Sequence, residues 1–406
     1  MTEIELLSEP QPAAGGLGLV LTGGGARAAY QTGFLRWVGQ SYPTLRVPYV
    51  TGISAGAINA AHLASHHGTF RQATDELCAL WQGLRAEDIF RTDFLSLTRT
   101  ILGWGGRLLL GGFIRMPEAR ALLDTAPLRQ TLEEALINVN GELTGIRYNL
   151  TMGGCRAVAF GTTSYTTGQS IVWVEGEDIR LWERPARRSM QTALTIDHVM
   201  ASAALPLFFP AVRIGNAWYG DGGIRLTAPL SPALHLGATH VMALATRQER
   251  SMAQADLPSI AGYPPPAQVL GVLLNSVFLD VIDQDALRLE RINRLIERLP
   301  DEDRGGMKPV RLLVIRPSVD LGKLAGDYEP QLPTAFRMLT RGFGAKETAS
   351  PDVLSMLMFQ PDYLARLVEM GEADAEARAD EIGEFIADAI RAAGGDDADG
   401  AVGRSA

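Results

Sequence analysis

The sequence predicts an α/β protein whose mainly parallel sheet is covered by helices, and three observations carry that expectation. Gly18-Leu19-Val20-Leu21 reads as a buried strand, Thr22 to Gly25 as a turn, and Ala26 to Val38 as a helix that can pack through Ala29, Phe34, Leu35, Trp37 and Val38. Pro48-Tyr49-Val50, then Thr51 to Gly56, then Ala57 to Ser65 repeats the plan of strand, sharp turn and helix. Further along, short apolar runs alternate with helical stretches. Two consecutive strand–turn–helix units place their strands parallel and their helices on the sheet.

The remaining elements follow in order. Residues 71–135 read as mainly helical, with a glycine-rich apolar stretch in their midst. Strands are expected at Arg147 to Met152, Ala157 to Phe160, Ile171 to Val174 and Val241 to Ala245. Past Pro264 to Pro266 the pattern is helical over 267–299, and a late strand, Val310 to Ile315, ends at Arg316-Pro317 and can join the sheet. Helices are expected at about 333–341, 351–370 and 373–392. We read 16–255 as the core, 256–392 as a mainly helical extension carrying the strand at about 310–315, and 393–406 as a small, polar, disordered tail.

Composition narrows the function classes. The 406 residues are 46% hydrophobic and 20% charged, as in a folded globular chain of one to three domains. A net charge of −9 argues against broad nucleic-acid binding, although Arg184, Arg187 and Arg188 could meet anionic lipid heads. Cys78 and Cys155 lack metal or redox spacing and are expected to be buried thiols. The first seventeen residues hold no basic run followed by a long apolar one. The closest approach to a membrane span, Ile101 to Ile114, is broken by Arg107 and too short. A cytoplasmic protein, peripheral to the membrane at most, is the expectation.

Three segments suggest chemistry. Gly52-Ile53-Ser54-Ala55-Gly56 matches G-x-S-x-G, a tight strand-to-helix turn that lifts a serine hydroxyl clear of the backbone and aims a helix N-terminus at it. Gly23-Gly24-Gly25-Ala26 can expose backbone N–H groups in a nest for an oxyanion or a phosphate. Its spacing fits neither a dinucleotide fingerprint nor, without a lysine, a Walker loop. The next residue, Arg27, either orients a phosphate head group or braces the loop, with bracing slightly favoured. A base for Ser54 has several candidates. A conventional triad order leaves His235 or His240, whereas His62 lies ~12 Å from Ser54 along its own predicted helix. Asp221 sits in Trp218-Tyr219-Gly220-Asp221-Gly222-Gly223, a lone acid among glycines.

Taken together these segments resemble the patatin-like phospholipase family. Gly23 to Arg27, Gly52 to Gly56 and Asp221-Gly222-Gly223 occur in that family's order, and Ala201 to Pro210 is similar to its lead-in to the aspartate. The resemblance spans about residues 16–250 and is looser over 267–392, including Leu354 to Glu369. It implies a three-layer α/β/α fold with an α-helical C-terminal elaboration, and a serine–aspartate dyad. Ser54 would then be the nucleophile and Asp221 the base. Gly23, Gly24, Gly25 and Ala26 would form the oxyanion hole, supported by Arg27, Gly52, Gly56, Gly222 and Gly223. The implied substrates are acyl esters of phospholipids, lysophospholipids or neutral lipids, cleaved without calcium; no metal or cofactor is expected, and at most a transient contact with a membrane surface.

Two positions depart from the family pattern. Ala28 stands where a glycine usually follows the arginine, a change of little consequence in a first helical turn. Thr227-Ala228 precedes Pro229 where an asparagine is common, which bears on the support of Asp221. Two other readings remain: an α/β-hydrolase esterase with a Ser-Asp-His triad, and a lipid- or phosphate-binding protein without turnover. The stretch Leu102 to Ile114 reads as an acyl-chain wall, a membrane-touching cap or a loop packed on the core.

Overall fold

The structure, a computed structural model, describes residues 15–91, 121–249, 263–264, 266–278, 281–332, 337 and 352–393. Strand β1 (Leu17–Leu21) is buried throughout and leads through a 3-10 turn, Gly25–Ala28, into α1 (Ala29–Ser41). Equally buried, β2 (Tyr49–Ile53) runs into α2 (Ala55–Ser65). The strand is longer, and the helix begins earlier, than the sequence pattern predicts, so the whole change of direction falls on Ser54. Then come α3 (Phe70–Gly83), α4 (Ala86–Ile89), α5 (Ala126–Ala135) and α6 (Thr144–Thr151). A β-rich stretch follows: β3 (Ala157–Ser164), β4 (Ser170–Gly176), β5 (Glu183–Arg184), β6 (Arg187–Gln191), helix α7 (Ile196–Ser202), β7 (Val212–Ile214) and β8 (Ala217–Asp221). The chain continues through α8 (Ser231–Leu236), β9 (His240–Leu244), α9 (Pro266–Phe278), α10 (Val281–Ile296), β10 (Arg311–Ile315) and α11 (Leu321–Tyr328). It ends in α12 (Asp352–Leu357), α13 (Pro361–Ala377) and α14 (Ala379–Ala393).

All ten of these strands join one sheet, ordered β10-β9-β1-β2-β3-β4-β6-β5, with β8 on β3 and β7 on β8. From β10 to β3 every neighbouring pair is parallel; β4, β5, β7 and β8 bring the antiparallel pairings. Alternate residues of the central strands face opposite cores, as the pleat requires. Leu19, Leu21, Val50, Phe160 and Leu244 turn toward α1, α2 and α13. Val20, Tyr49, Ala159, Val241 and Ala243 turn toward α8 and α10. The result is the three-layer α/β/α architecture with a mostly parallel central sheet. The late strand β10 extends that sheet beside β9, and α13 is tied to α1 by a Tyr30 Oη–Asp374 hydrogen bond of 2.9 Å and an Arg36–Glu372 ion pair.

Three expectations need correction. Arg147 to Met152 is helix, not strand: the alternation of Tyr148, Leu150 and Met152 is fortuitous, because Tyr148 and Met152 are exposed. Instead Gly145 and Ile146 face inward, and Asn149 Nδ2 donates to the carbonyls of Ala64 and His66 at the end of α2. The helix expected at 351–370 is divided at Met358-Phe359-Gln360, where Pro361 starts a new helix because its ring suits the first turn and not the interior. Helix α13 then extends to Ala377, so the next helix starts at Ala379 rather than at residue 373. The stretch Leu102 to Ile114, most of the helix expected at 333–341, and the tail from residue 394 lie outside the described residues. No helix among the described residues is long and apolar enough to cross a membrane.

Candidate active site

Strand register brings the serine and the aspartate together. On one edge of β3, β2 ends with Ile53 opposite Gly161. From the other direction β8 arrives along that edge and ends with Asp221 opposite Thr162, the next residue. Ser54 and Asp221 therefore meet at the seam where two strands abut.

Ser54 holds φ 56° and ψ −133°, a left-handed conformation that costs a side-chain-bearing residue about 1–3 kcal/mol. Its surroundings enforce that strain. The Ser54 N–H donates to Ser202 Oγ at 2.9 Å, and the Ser202 hydroxyl donates to Gly161 O at 2.7 Å. Behind the turn α2 packs so tightly on β1 that a Cβ at Gly56 would stand 2.2 Å from Leu21 O. Gly52 lies in β2 beneath it.

The glycine turn runs alongside. Thr246 Oγ1 donates to Gly23 O at 2.5 Å and Arg27 N–H donates to Gly24 O at 3.2 Å. The N–H groups of Gly24, Gly25 and Ala26 therefore head the 3-10 turn, where no intrahelical acceptor is available to them. Gly25 holds φ +57°, and a Cβ there would lie 2.1 Å from Met356 O. Arg27 is buried; its Nε donates to Ser355 Oγ at 2.7 Å and its Nη2 pairs with Asp352 at 2.5 Å. With all of these contacts made to protein, Arg27 braces the loop.

Asp221 is fully buried. Its backbone N–H donates to Ala204 O at 3.1 Å, its carbonyl accepts from Thr163 Oγ1 at 2.8 Å, and Oδ1 accepts from Gly223 N–H at 2.9 Å. Burial pushes the carboxyl up from the ordinary carboxylate range to about 7, opposed in part by the Ser54 hydroxyl and the Gly223 N–H. Oδ2 has no partner in good hydrogen-bond geometry, so Ser54 faces the carboxylate without a well-aligned bond. Hydrogen bonds between reacting groups of enzymes are often long or poorly aligned until substrate binds.

The histidines lie elsewhere. His240 pairs in register with Leu17, at the N-terminal end of the parallel strands, about 20 Å from Ser54 at ~3.3 Å per residue. There it bonds Asp388 at 3.1 Å. His235 stacks on Trp182 with ring centroids 4.5 Å apart, on the face covered by α8 and α10. Arg184, Arg187 and Arg188 stand on β5 and β6 at the sheet edge opposite β10. Cys78 and Cys155 are free and buried.

Around Ser54, Gly24 and Gly25 opens a cleft lined by apolar side chains, among them Ile58, Trp81, Leu132, Leu205 and Phe359. Several supports escape sequence reasoning. Ser202 and Thr246 are small polar residues in apolar surroundings, and Asp352 and Ser355 sit more than 320 residues from Arg27. The one available signal for Ser202 was the lead-in segment, which holds both partners: Ser202 anchors Ser54 and Ala204 anchors Asp221. Replacing Ser202 with alanine leaves the Ser54 N–H and Gly161 O unpaired in the interior, at about 1–3 kcal/mol per group. The expected result is a folded protein with a lower melting temperature and, on the reading of Ser54 as a reacting group, a kcat at least about tenfold reduced, since misplacing such a group is costly. Unchanged kcat in Ser202→Ala would show that the turn holds itself.

Residues 19–234, more than half of the chain, match the family model described as Patatin-like phospholipase. Among solved structures, VipD from Legionella pneumophila aligns at 14% identity and TM-score 0.34, covering 88% of this chain and 67% of that one. Human GIVD cytosolic phospholipase A2 aligns at 10% identity and TM-score 0.45, covering 94% of this chain and 63% of that one. Its complex with methyl gamma-linolenyl fluorophosphonate gives 13% identity and TM-score 0.42, with 96% and 60% covered. This chain thus spans about two thirds or less of those proteins. No curated protein matches it significantly.

Proposed function

Because the chain belongs to the patatin-like phospholipase family, we propose that it is a serine acyl hydrolase that cleaves acyl esters of phospholipids, lysophospholipids or related lipids through an acyl-serine intermediate. One observation carries this reading: a strained Ser54 faces the buried Asp221 carboxylate beside a glycine turn, at the head of an apolar cleft.

In this mechanism Ser54 Oγ attacks the ester carbonyl carbon as its proton passes to Asp221. The carbonyl oxygen becomes an oxyanion held by N–H groups of the turn around Gly24 and Gly25, each well-aimed donor worth ~3 kcal/mol in the transition state. Collapse breaks the bond to the alcohol, which takes the proton from Asp221. Water then attacks the acyl-serine, giving a proton to Asp221. Release of the fatty acid returns that proton to Ser54. An ordinary carboxylate near ~4 is a weak base for a serine hydroxyl. Burial, which lifts Asp221 to about 7, supports the assignment by narrowing that mismatch.

The deciding experiment is covalent labelling of the folded protein with an alkyl fluorophosphonate, followed by peptide mapping. Label is expected on Ser54 alone and to be lost in Asp221→Asn. Unmodified Ser54, with no turnover of any acyl ester, would leave a lipid-binding protein in place of an enzyme.

A further inference from the structure

We infer that the C-terminal extension builds one wall of the cleft, and that the Phe359 ring sets the longest acyl chain the cleft accepts. The inference rests on the acyl-hydrolase reading above and adds to it a determinant of substrate choice. The family match ends at residue 234, yet Met356, Leu357 and Phe359 line the cleft together with Ser54.

The segment that carries them is bolted to the glycine turn. Asp352 and Ser355 both accept from Arg27, Asn275 Nδ2 donates to the other oxygen of Asp352, and Met356 O occupies the space that a side chain at Gly25 would need. From this anchor the chain runs on along the cleft through Leu357 to Phe359. There Phe359 stacks on Trp81, ring centroids 6.4 Å apart and planes 24° from parallel, and meets Phe90 edge-on at 6.4 Å. All three rings are buried.

Nothing in that wall gives way easily. Trp81 Nε1 donates to Asn59 Oδ1 at 2.7 Å, and Asn59 Nδ2 donates to Gln31 Oε1 at 2.9 Å. Asn59 lies five residues beyond Ser54 on α2, about 7.5 Å along the helix axis at ~1.5 Å per residue. The rings therefore stand along the cleft from the reacting carbonyl, where the far end of an acyl chain would meet them. Behind Phe359 is another ring, Phe90, so an acyl chain cannot lengthen in that direction while both are present. Close-packed rings of this kind respond to the loss or gain of a few carbon atoms.

The test is a series of p-nitrophenyl esters from butanoyl to hexadecanoyl, turned over by wild type, Phe359→Ala, Phe359→Leu and Phe359→Trp, with melting temperatures recorded. Phe359→Ala is expected to raise the ratio of kcat/KM for dodecanoyl over butanoyl ester by roughly tenfold or more, given what single methylenes contribute in apolar pockets. Phe359→Trp should lower that ratio, and the chain-length ratio within each variant, not its absolute rate, is the quantity compared. If Phe359→Ala fails to fold, Phe359→Leu decides, with a smaller shift in the same direction. Folded variants with the wild-type chain-length profile would overturn the inference while leaving Ser54 labelling intact. Absence of both ester turnover and Ser54 labelling in the wild type would overturn the acyl-hydrolase reading, and this inference with it.

Discussion

Replacing Ser54 with glycine is expected to abolish ester turnover and fluorophosphonate labelling while making the fold slightly more stable. The first effect follows from the role proposed for Ser54 as nucleophile, and residual hydrolysis would have to come from water oriented by the glycine turn. The second comes from the backbone. At φ 56° and ψ −133° a Cβ is strained by about 1–3 kcal/mol, which glycine relieves. Glycine also gains freedom in the unfolded chain, which takes back about 0.5–1 kcal/mol. A net gain of about 1 kcal/mol should therefore appear as a rise in the denaturant midpoint. Ser54→Ala is the control. It loses turnover equally but keeps the strained Cβ, so its midpoint should stay at or below that of wild type. Should glycine destabilise the protein as much as alanine does, the turn is not a reservoir of strain, and the nucleophile-elbow account of this residue is wrong.

How much of this could be read from the sequence depended on the range of the interaction. The units β1–α1 and β2–α2 are local patterns, apolar run then glycine turn then helix, and they were legible to within a few residues. The strand β10 was legible for the same reason. Helix α6 was not, because Tyr148, Leu150 and Met152 alternate as a strand would, and only its docking on α2 through Gly145 and Asn149 decides the matter. The strands β5 to β8 are only two to five residues long, and β5 and β6 are mostly polar, so they do not announce themselves; they form because neighbouring strands offer them edges. At the site, Ser54 and the glycine turn were visible as motifs, whereas Asp221 alone passes for a turn residue. Its meaning comes from the register of β8 against β3, a contact across 59 residues that no local pattern encodes. The bracing of Arg27 by Asp352 is longer in range still.

Asp221→Asn is expected to reduce kcat by about 10²–10⁴-fold, the usual contribution of a positioned general base, and at the same time to stabilise the protein at alkaline pH. The sign of the stability effect follows from the direction of the ionisation shift. In the unfolded chain the carboxyl titrates near ~3.9, and in the folded protein burial lifts it to about 7. The folded state therefore holds the proton more tightly. The stability linked to that proton is fully present below pH ~4, declines as pH rises, and is lost above about 7. At pH 8 the wild type carries a buried charge that Asp221→Asn lacks, a penalty on the order of a few kcal/mol after allowing for the imperfect fit of the amide. Wild-type kcat/KM should fall tenfold per pH unit below about 7 and level off above it, because in the proposed mechanism only the ionised carboxylate accepts the Ser54 proton. The two measurements constrain each other: the window in which wild-type activity appears is the window in which its stability advantage over Asp221→Asn disappears. A flat stability difference from pH 4 to pH 8, with activity still rising through 7, would assign that activity limb to another group and remove Asp221 from the role of base.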